Sequence, residues 1–191
     1  MSLPEPFARL VREHVAIAGM VAAARGASEA AVQYRDETLV PEMLAELHAL
    51  HAFMGRELAA HIAREEDVLF PAFRALTADD RLIDELVVQH DRVQERRALL
   101  ESVLTALDQH HDDVTDERER LGARLEAQPS APSWEALQEL AESVRQLDWI
   151  FQGHFGDEED DLFAPGAELF SPADLERMTQ EMEAIGPARS G

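Results

Sequence analysis

No cysteine occurs anywhere in the 191 residues. Disulfides, thiolate metal sites, iron–sulfur ligation and thiol catalysis are thereby excluded. Glycine and proline are sparse, 9 of each, as in chains built mainly of helix. Basic residues are also few: 17 against 39 acidic, for a net charge of −22. A surface so charged repels DNA, RNA and anionic lipid, so neither nucleic acid nor a membrane is expected as a partner. The acidic residues are spread along the chain, which is the pattern of a solvated surface and not of a recognition tail. No apolar run reaches the length of a membrane span. Val15 to Ala24 imitates the core of a signal peptide, but Glu5, Glu13 and His14 interrupt the basic leader it would need. The expected location is cytoplasmic.

What the chain does have is a repeat. His61-Ile-Ala-Arg-Glu65-Glu66-Asp67-Val-Leu69-Phe70-Pro71 returns as His154-Phe-Gly-Asp-Glu158-Glu159-Asp160-Asp-Leu162-Phe163-Ala-Pro165. The His, the Glu four residues on, and then Glu, Asp, Leu and Phe are identical, and a proline closes each copy. Residues four apart on a helix lie only ~40° apart around its axis, so each copy aims an imidazole and a carboxylate at one point. A second, weaker echo pairs Leu10-Val11-Arg12-Glu13-His14 with Leu86-Val87-Val88-Gln89-His90. The chain thus reads as two related helical hairpins, each offering one lone His and one His-x-x-x-Glu. Two such sets facing each other supply nitrogens and oxygens to one site, and a metal of mixed N/O preference is its natural occupant.

Apolar periodicity places the helices. A first helix opens near Pro4 to Phe7 and carries the stripe Phe7, Leu10, His14, Ile17, Val21, Ala24, Ser28 and Ala31. A second begins between Thr38 and Pro41 and runs to between Pro71 and Leu76. Thr77-Ala-Asp-Asp80 has the form of a cap for the third. Ser133 starts the fourth, which is expected to end near Pro165, and Ser171-Pro172-Ala-Asp174 starts a short terminal helix. Antiparallel neighbours must hold their ligands at equal depth from the shared turn. His61, Glu65 and His90 agree within about one turn. His14 agrees if the first helix runs through Gly26 to about Arg35, and His154 agrees if the third helix turns near His111. The polar run from Asp108 to Asp113 is therefore expected to break the third helix. An insertion then fills about 112–131, as a separate small helix over Thr115 to Gln128 or as an overhang carried by the heptad Leu86, Val93, Leu100, Leu107, Val114 and Leu121. Residues 1–170 form the bundle on this reading, and 171–191 are a helix and tail of the same domain.

A lone histidine on an apolar face is usually a core or surface histidine, and one His-x-x-x-Glu is also an ordinary surface pair. Four histidines on four helices at matching depth, two with the same carboxylate partner, are a different matter. Glu57 competes with Glu65 for His61, but the position matching it before His154 is Ile150. His51 lies too far along its helix, His48 points elsewhere, and His110 and His111 fall near a turn. Glu66, Asp67, Glu159, Asp160 and Asp161 are expected to face solvent. Trp149, Phe151 and Phe155 are expected to wall a water-poor pocket.

The set His14, His61-x-x-x-Glu65, His90 and His154-x-x-x-Glu158 resembles the hemerythrin-like, or HHE cation-binding, domain over about residues 5–165. The resemblance implies an all-α, up-down-up-down antiparallel four-helix bundle with a non-haem di-iron centre in its core. Glu65 and Glu158 would bridge the irons and the four histidines would bind terminally, with manganese or zinc as alternative occupants. The oxygen carriers of that family add a histidine four residues after the third helix's ligand; here that position is Gln94. Coordination positions left open would favour reaction with peroxide, dioxygen or nitric oxide. Sensing or carriage of such a ligand, and a role in iron–sulfur repair, are the alternatives, and repair proteins of that family carry a cysteine-containing segment that is lacking here. Whether the protein is an enzyme is left open, as is monomer against homodimer. The Glu-x-x-His of ferritin-like bundles and the His-Glu-x-x-His motif are both absent.

Overall fold

The computed structural model describes residues 3–76, 80–120 and 133–186, with the backbone alone over 106–120. Among these residues there is no strand. Helix α1 spans Phe7–Tyr34. Its buried residues are Phe7, Leu10, His14, Ile17, Val21, Ala24, Ser28 and Ala31, the stripe the periodicity gives, and the helix runs through Gly26. Its apolar character is high enough that, by length and composition, it would qualify to cross a membrane, with an 18-residue window of mean hydropathy 1.3. That corrects the expectation of no such run. The value comes from alanine on the outer face as well as from Ile17 and Val21, which join the bundle's apolar core.

Asp36 accepts from the Thr38 N–H to open a 3-10 turn, Glu37–Leu39, which leads into a second rod. This rod is α2 (Val40–Phe53), α3 (Ala59–Arg64) and α4 (Phe70–Leu76), joined without a break by wide π turns at Met54–Leu58 and Glu65–Leu69. The third rod is α5 (Arg81–Arg120). The fourth is α6 (Trp134–Glu158) and α7 (Ala164–Leu169), joined by a π turn at Glu159–Phe163. Ser133 and Ser171 cap α6 and the terminal helix α8 (Pro172–Ala184) with their side chains, as their sequences imply.

Each of α1 and α5 lies against both α2 and α6. Arg25 meets Asp148 while His14 meets Glu159, so α1 and the fourth rod run antiparallel. Likewise His51 approaches Glu101 and Arg74 approaches Asp84 across the second and third rods.

Two sequence expectations need correction. The polar run from Asp108 to Asp113 does not break the third rod, and α5 continues through it to Arg120. The run contains no glycine or proline, so nothing in it disrupts the helical ladder. The fourth rod does not stop near Pro165 but runs to Leu169. A proline one turn beyond the repeat's second glutamate follows a π turn in both copies, as Pro71 and as Pro165. The widened turn already leaves a carbonyl out of the regular ladder, so the missing N–H costs little there. The cap expected at Thr77-Ala-Asp-Asp80 falls largely outside the described residues. Only Asp80 is among the described residues, and its carbonyl accepts from the Asp84 N–H. Of the expected insertion, 121–131 also lies outside them.

The buried apolar residues form two clusters. One holds Ile17, Leu58, Val93 and Phe151, and the other holds Leu10, Val68, Leu86 and Leu162. Each rod carries its histidine between a residue of the first cluster and one of the second, so a polar layer cuts the core in two. The second cluster is completed by Met178 and Met182 of α8.

Gly166 belongs to this second cluster's wall. A Cβ built there would lie 2.6 Å from Phe73 Cζ and 2.8 Å from Phe7 Cζ, whereas one at Gly19 meets nothing within 4 Å. Gly166→Ala should therefore destabilise the fold by about 1–3 kcal/mol through overpacking. Gly19→Ala should stabilise it by about 0.5–1 kcal/mol by restricting the unfolded chain. Denaturant unfolding of the two variants measures both, and a stabilised Gly166→Ala would refute the packing described.

Candidate metal centre

Six residues expected at the site meet in the polar layer: His14 from α1, His61 from α3, Glu65 from the π turn after it, His90 from α5, and His154 and Glu158 from α6. All are buried, and both glutamates have no exposure at all. His61 Nε2 lies 2.8 Å from Glu65 Oε1, and His90 Nε2 lies 3.2 Å from Glu65 Oε2. His14 Nε2 lies 3.2 Å and His154 Nε2 3.6 Å from Glu158 Oε2. His90 Nε2 and His154 Nε2 are 3.1 Å apart. Ligand atoms of His14, His61, Glu65 and Glu158 fall together closely enough to hold one ion, and those of Glu65, His90 and His154 to hold another.

The chemistry of this donor set fits metal. His14 Nε2, His61 Nε2 and all four carboxylate oxygens of Glu65 and Glu158 are buried with no hydrogen-bond partner. Their close approaches are thus not aligned as hydrogen bonds. Buried polar atoms left so are costly, and a cation at the point they face satisfies them together.

Each outer nitrogen is held by a side chain. His14 Nδ1 donates to Glu159 Oε1 at 2.8 Å, and His90 Nδ1 to Glu66 Oε1 at 2.7 Å. His61 Nδ1 donates to Glu13 Oε2 at 3.0 Å, and His154 Nδ1 to Gln89 Oε1 at 2.9 Å. Each bond fixes the tautomer that leaves Nε2 for a metal. The expectation that Glu66 and Glu159 face solvent is therefore corrected. Their side chains are 40% exposed, yet each turns its carboxylate inward. Asp67, Asp160 and Asp161 do face solvent. The aromatic residues follow the same pairing. Phe163 stacks on His14 and Phe70 on His90, with interplanar angles of 22° and 16°. Phe155 lies flat on His14 at 4.0 Å.

The signal for these partners stood in the sequence. Glu66 and Glu159, like Phe70 and Phe163, are identical positions of the repeat beyond its ligand pair, and Glu13 and Gln89 each precede a lone histidine. Other expectations fail. Trp149 is 75% exposed and walls nothing, while Phe151 and Phe155 are buried as expected. Gln94 is exposed, and the residue one turn past His90 that faces the interior is Val93. A histidine at 94 therefore gains no inward position. Glu57 and His48 are exposed, and His51 lies near Glu101, away from the site. The side chains of His110 and His111 lie outside the described residues.

Charge in the layer is set by mutual dependence. Burial opposes protonation of His14 and His61, yet Glu158 and Glu65 override it and raise His14 to about 9 and His61 to about 10. Burial would raise Glu65, but the charge of His61 and the close approach of the His14, His61 and His90 imidazoles hold it well below the usual carboxylate range. Burial, with the charge of Glu65 beside it, raises Glu158 to about 7. Burial lowers His154 to about 3, against the pull of Glu65 and with repulsion from His90, His61 and His14. A neutral His154 is then the acceptor in its contact with His90.

The chain matches the family model described as Hemerythrin HHE cation binding domain over residues 5–105 and again over 102–188. No curated protein and no solved structure matches it.

Two outcomes are expected of this layer. His14 and His61 have folded pKa values above the reference value of about 6.5. The stability they give the metal-free fold is fully present below that pH and is lost as pH rises through about 9 to 10. The melting temperature of metal-free protein should fall between pH 7 and 10, and a flat or rising curve there would show that these protons are not held as described. Glu66→Gln and Glu159→Gln should each weaken metal binding by about 10-fold or more, the usual effect of disturbing a ligand's outer partner. Asp67→Asn and Asp160→Asn should leave it unchanged, as read by chelator competition.

Proposed function

The chain belongs to the hemerythrin HHE cation-binding family, and from that premise we propose that it holds a non-haem di-iron centre that reacts with or binds peroxide, dioxygen or nitric oxide. On this reading Glu65, Glu158, His14, His61, His90 and His154 would hold the ions. The observation that carries it is the set of six converging, buried and unpartnered nitrogen and oxygen atoms. Such a mixed set suits iron or manganese. Iron bound there supplies redox chemistry and coordination positions open to a small ligand.

The chain's own residues do the rest. Glu13, Glu66, Gln89 and Glu159 orient the imidazoles. Phe155, Phe163 and Phe70 cover them and keep bulk water away, which strengthens every electrostatic interaction inside the layer. Beside Glu13, the partner of His61, lies a cavity of about 170 Å³, lined also by Ala16, Ile17, Phe53, Glu57, Ala60 and Arg64. A sensing role would use the same centre, and one feature favours it: a buried arginine joins Glu13 to the end of α8.

Freshly purified protein should contain about two iron atoms per chain, since six protein ligands make a double site. Glu65→Ala and Glu158→Ala should each remove most of the bound metal, and His48→Ala none. Elemental analysis of the variants checks this. One zinc per chain, or full metal content in Glu65→Ala, would overturn the di-iron assignment.

A further inference from the structure

The C-terminal helix is tied to the metal layer by one guanidinium. Arg64 is 5% exposed and directs its three nitrogens to two different destinations. Nε donates to the Met182 carbonyl at 3.2 Å and Nη2 to the Ile185 carbonyl at 2.5 Å. Nη1 donates to Glu13 Oε2 at 3.3 Å. That same oxygen accepts from His61 Nδ1. The two carbonyls belong to the C-terminal end of α8, where the helix dipole is negative; the Met182 carbonyl also accepts from the Ile185 N–H. A planar fork of donors serves both carbonyls at once. Helix α8 also packs against the Glu65–Leu69 π turn, which carries Glu65 and Glu66.

This link belongs to one half of the molecule. In the repeat, Arg64 corresponds to Asp157, and Glu13 corresponds to Gln89. His154 is oriented by the neutral Gln89 amide, and the position matching Arg64 is acidic. A ligand layer of this kind therefore does not need an arginine in order to hold its histidines. The arginine appears only on the side where α8 docks.

We propose that Arg64 is a positioning residue that couples α8 to the metal centre through Glu13 and His61, so that metal loading and docking of α8 favour each other. The proposal rests on the metal-centre reading above. When an ion draws His61 Nε2 inward, the Nδ1–Glu13 bond is held in line, and Glu13 in turn holds the guanidinium against the end of α8. When α8 leaves, Arg64 loses two acceptors and Glu13 is free to turn away from His61. Linkage requires each event to favour the other by the same factor.

Amide hydrogen exchange across 175–185, measured on full-length protein with and without bound iron, tests this. Metal content and chelator competition are measured on the same samples. In the wild type, iron should slow exchange in α8 several-fold. Arg64→Met, which keeps the stem and removes the donors, should bind iron about 10-fold more weakly and show the same α8 exchange in both states. Arg64→Lys keeps a cation beside Glu13 but lacks the fork, so it should keep most of the affinity and lose the metal dependence of α8. Met178→Ala loosens α8 from its apolar seat without touching the site. It should weaken iron binding in the wild type and add nothing in Arg64→Met, because coupled residues are not additive. Iron bound with no change in α8, or metal-dependent protection that survives Arg64→Met, would overturn the coupling and leave the metal centre standing. Absence of bound iron in the wild type would overturn both.

Discussion

Glu65 and Glu158 are carboxylates buried in the middle of a helical bundle with no hydrogen-bond partner on any of their four oxygens. A charge in that position is among the most expensive things a fold can contain, and the surrounding structure answers it. Imidazoles from all four rods converge on the two carboxylates. Without metal, protons held on His14 and His61 supply the compensating charge; with metal, the ions do. The apolar core is split into two clusters because this layer lies between them.

The halves of the chain serve each other. The motif in the second rod orients and stacks on His90 of the third, through Glu66 and Phe70. The motif in the fourth orients and stacks on His14 of the first, through Glu159 and Phe163. The residue before each lone histidine returns the service, Glu13 to His61 and Gln89 to His154. Each hairpin thus orients its own motif histidine and depends on the other hairpin for its lone histidine. The π turns belong to the same arrangement. One begins at Glu65 and the other just after Glu158. An extra residue in a turn rotates the next stretch of helix by about 100°, which lets both the ligand face and the Leu-Phe pair beyond it point inward.

Symmetry is broken where α8 docks. With Glu13 and Arg64 in place of Gln89 and Asp157, one half gains an ion pair behind its motif histidine, where the other has the neutral Gln89 amide. The terminal helix closes the second apolar cluster with Met178 and Met182 and is capped by an arginine whose remaining donor faces the site. The end of the chain and the buried layer are thus joined by hydrogen bonds and not only by shared apolar contact.

The sequence by itself determined the elements and the ligand face. The eight-residue stripe of α1, the serine caps at Ser133 and Ser171, and the convergence of His14, His61, Glu65, His90, His154 and Glu158 all come from local periodicity and repetition, which a linear chain preserves. Tertiary structure decided what depends on direction between helices. It decided which acceptor each Nδ1 finds, that Val93 and not Gln94 faces inward, that Trp149 faces out, and that Arg64 reaches α8. Asp108 to Asp113 and Pro165 show why the rest was hidden. A polar run without a breaker is indifferent to helix, and a proline beside a widened turn is tolerated. Whether each ends a rod is fixed by the ladder of hydrogen bonds around it, and that ladder exists only once the chain has folded.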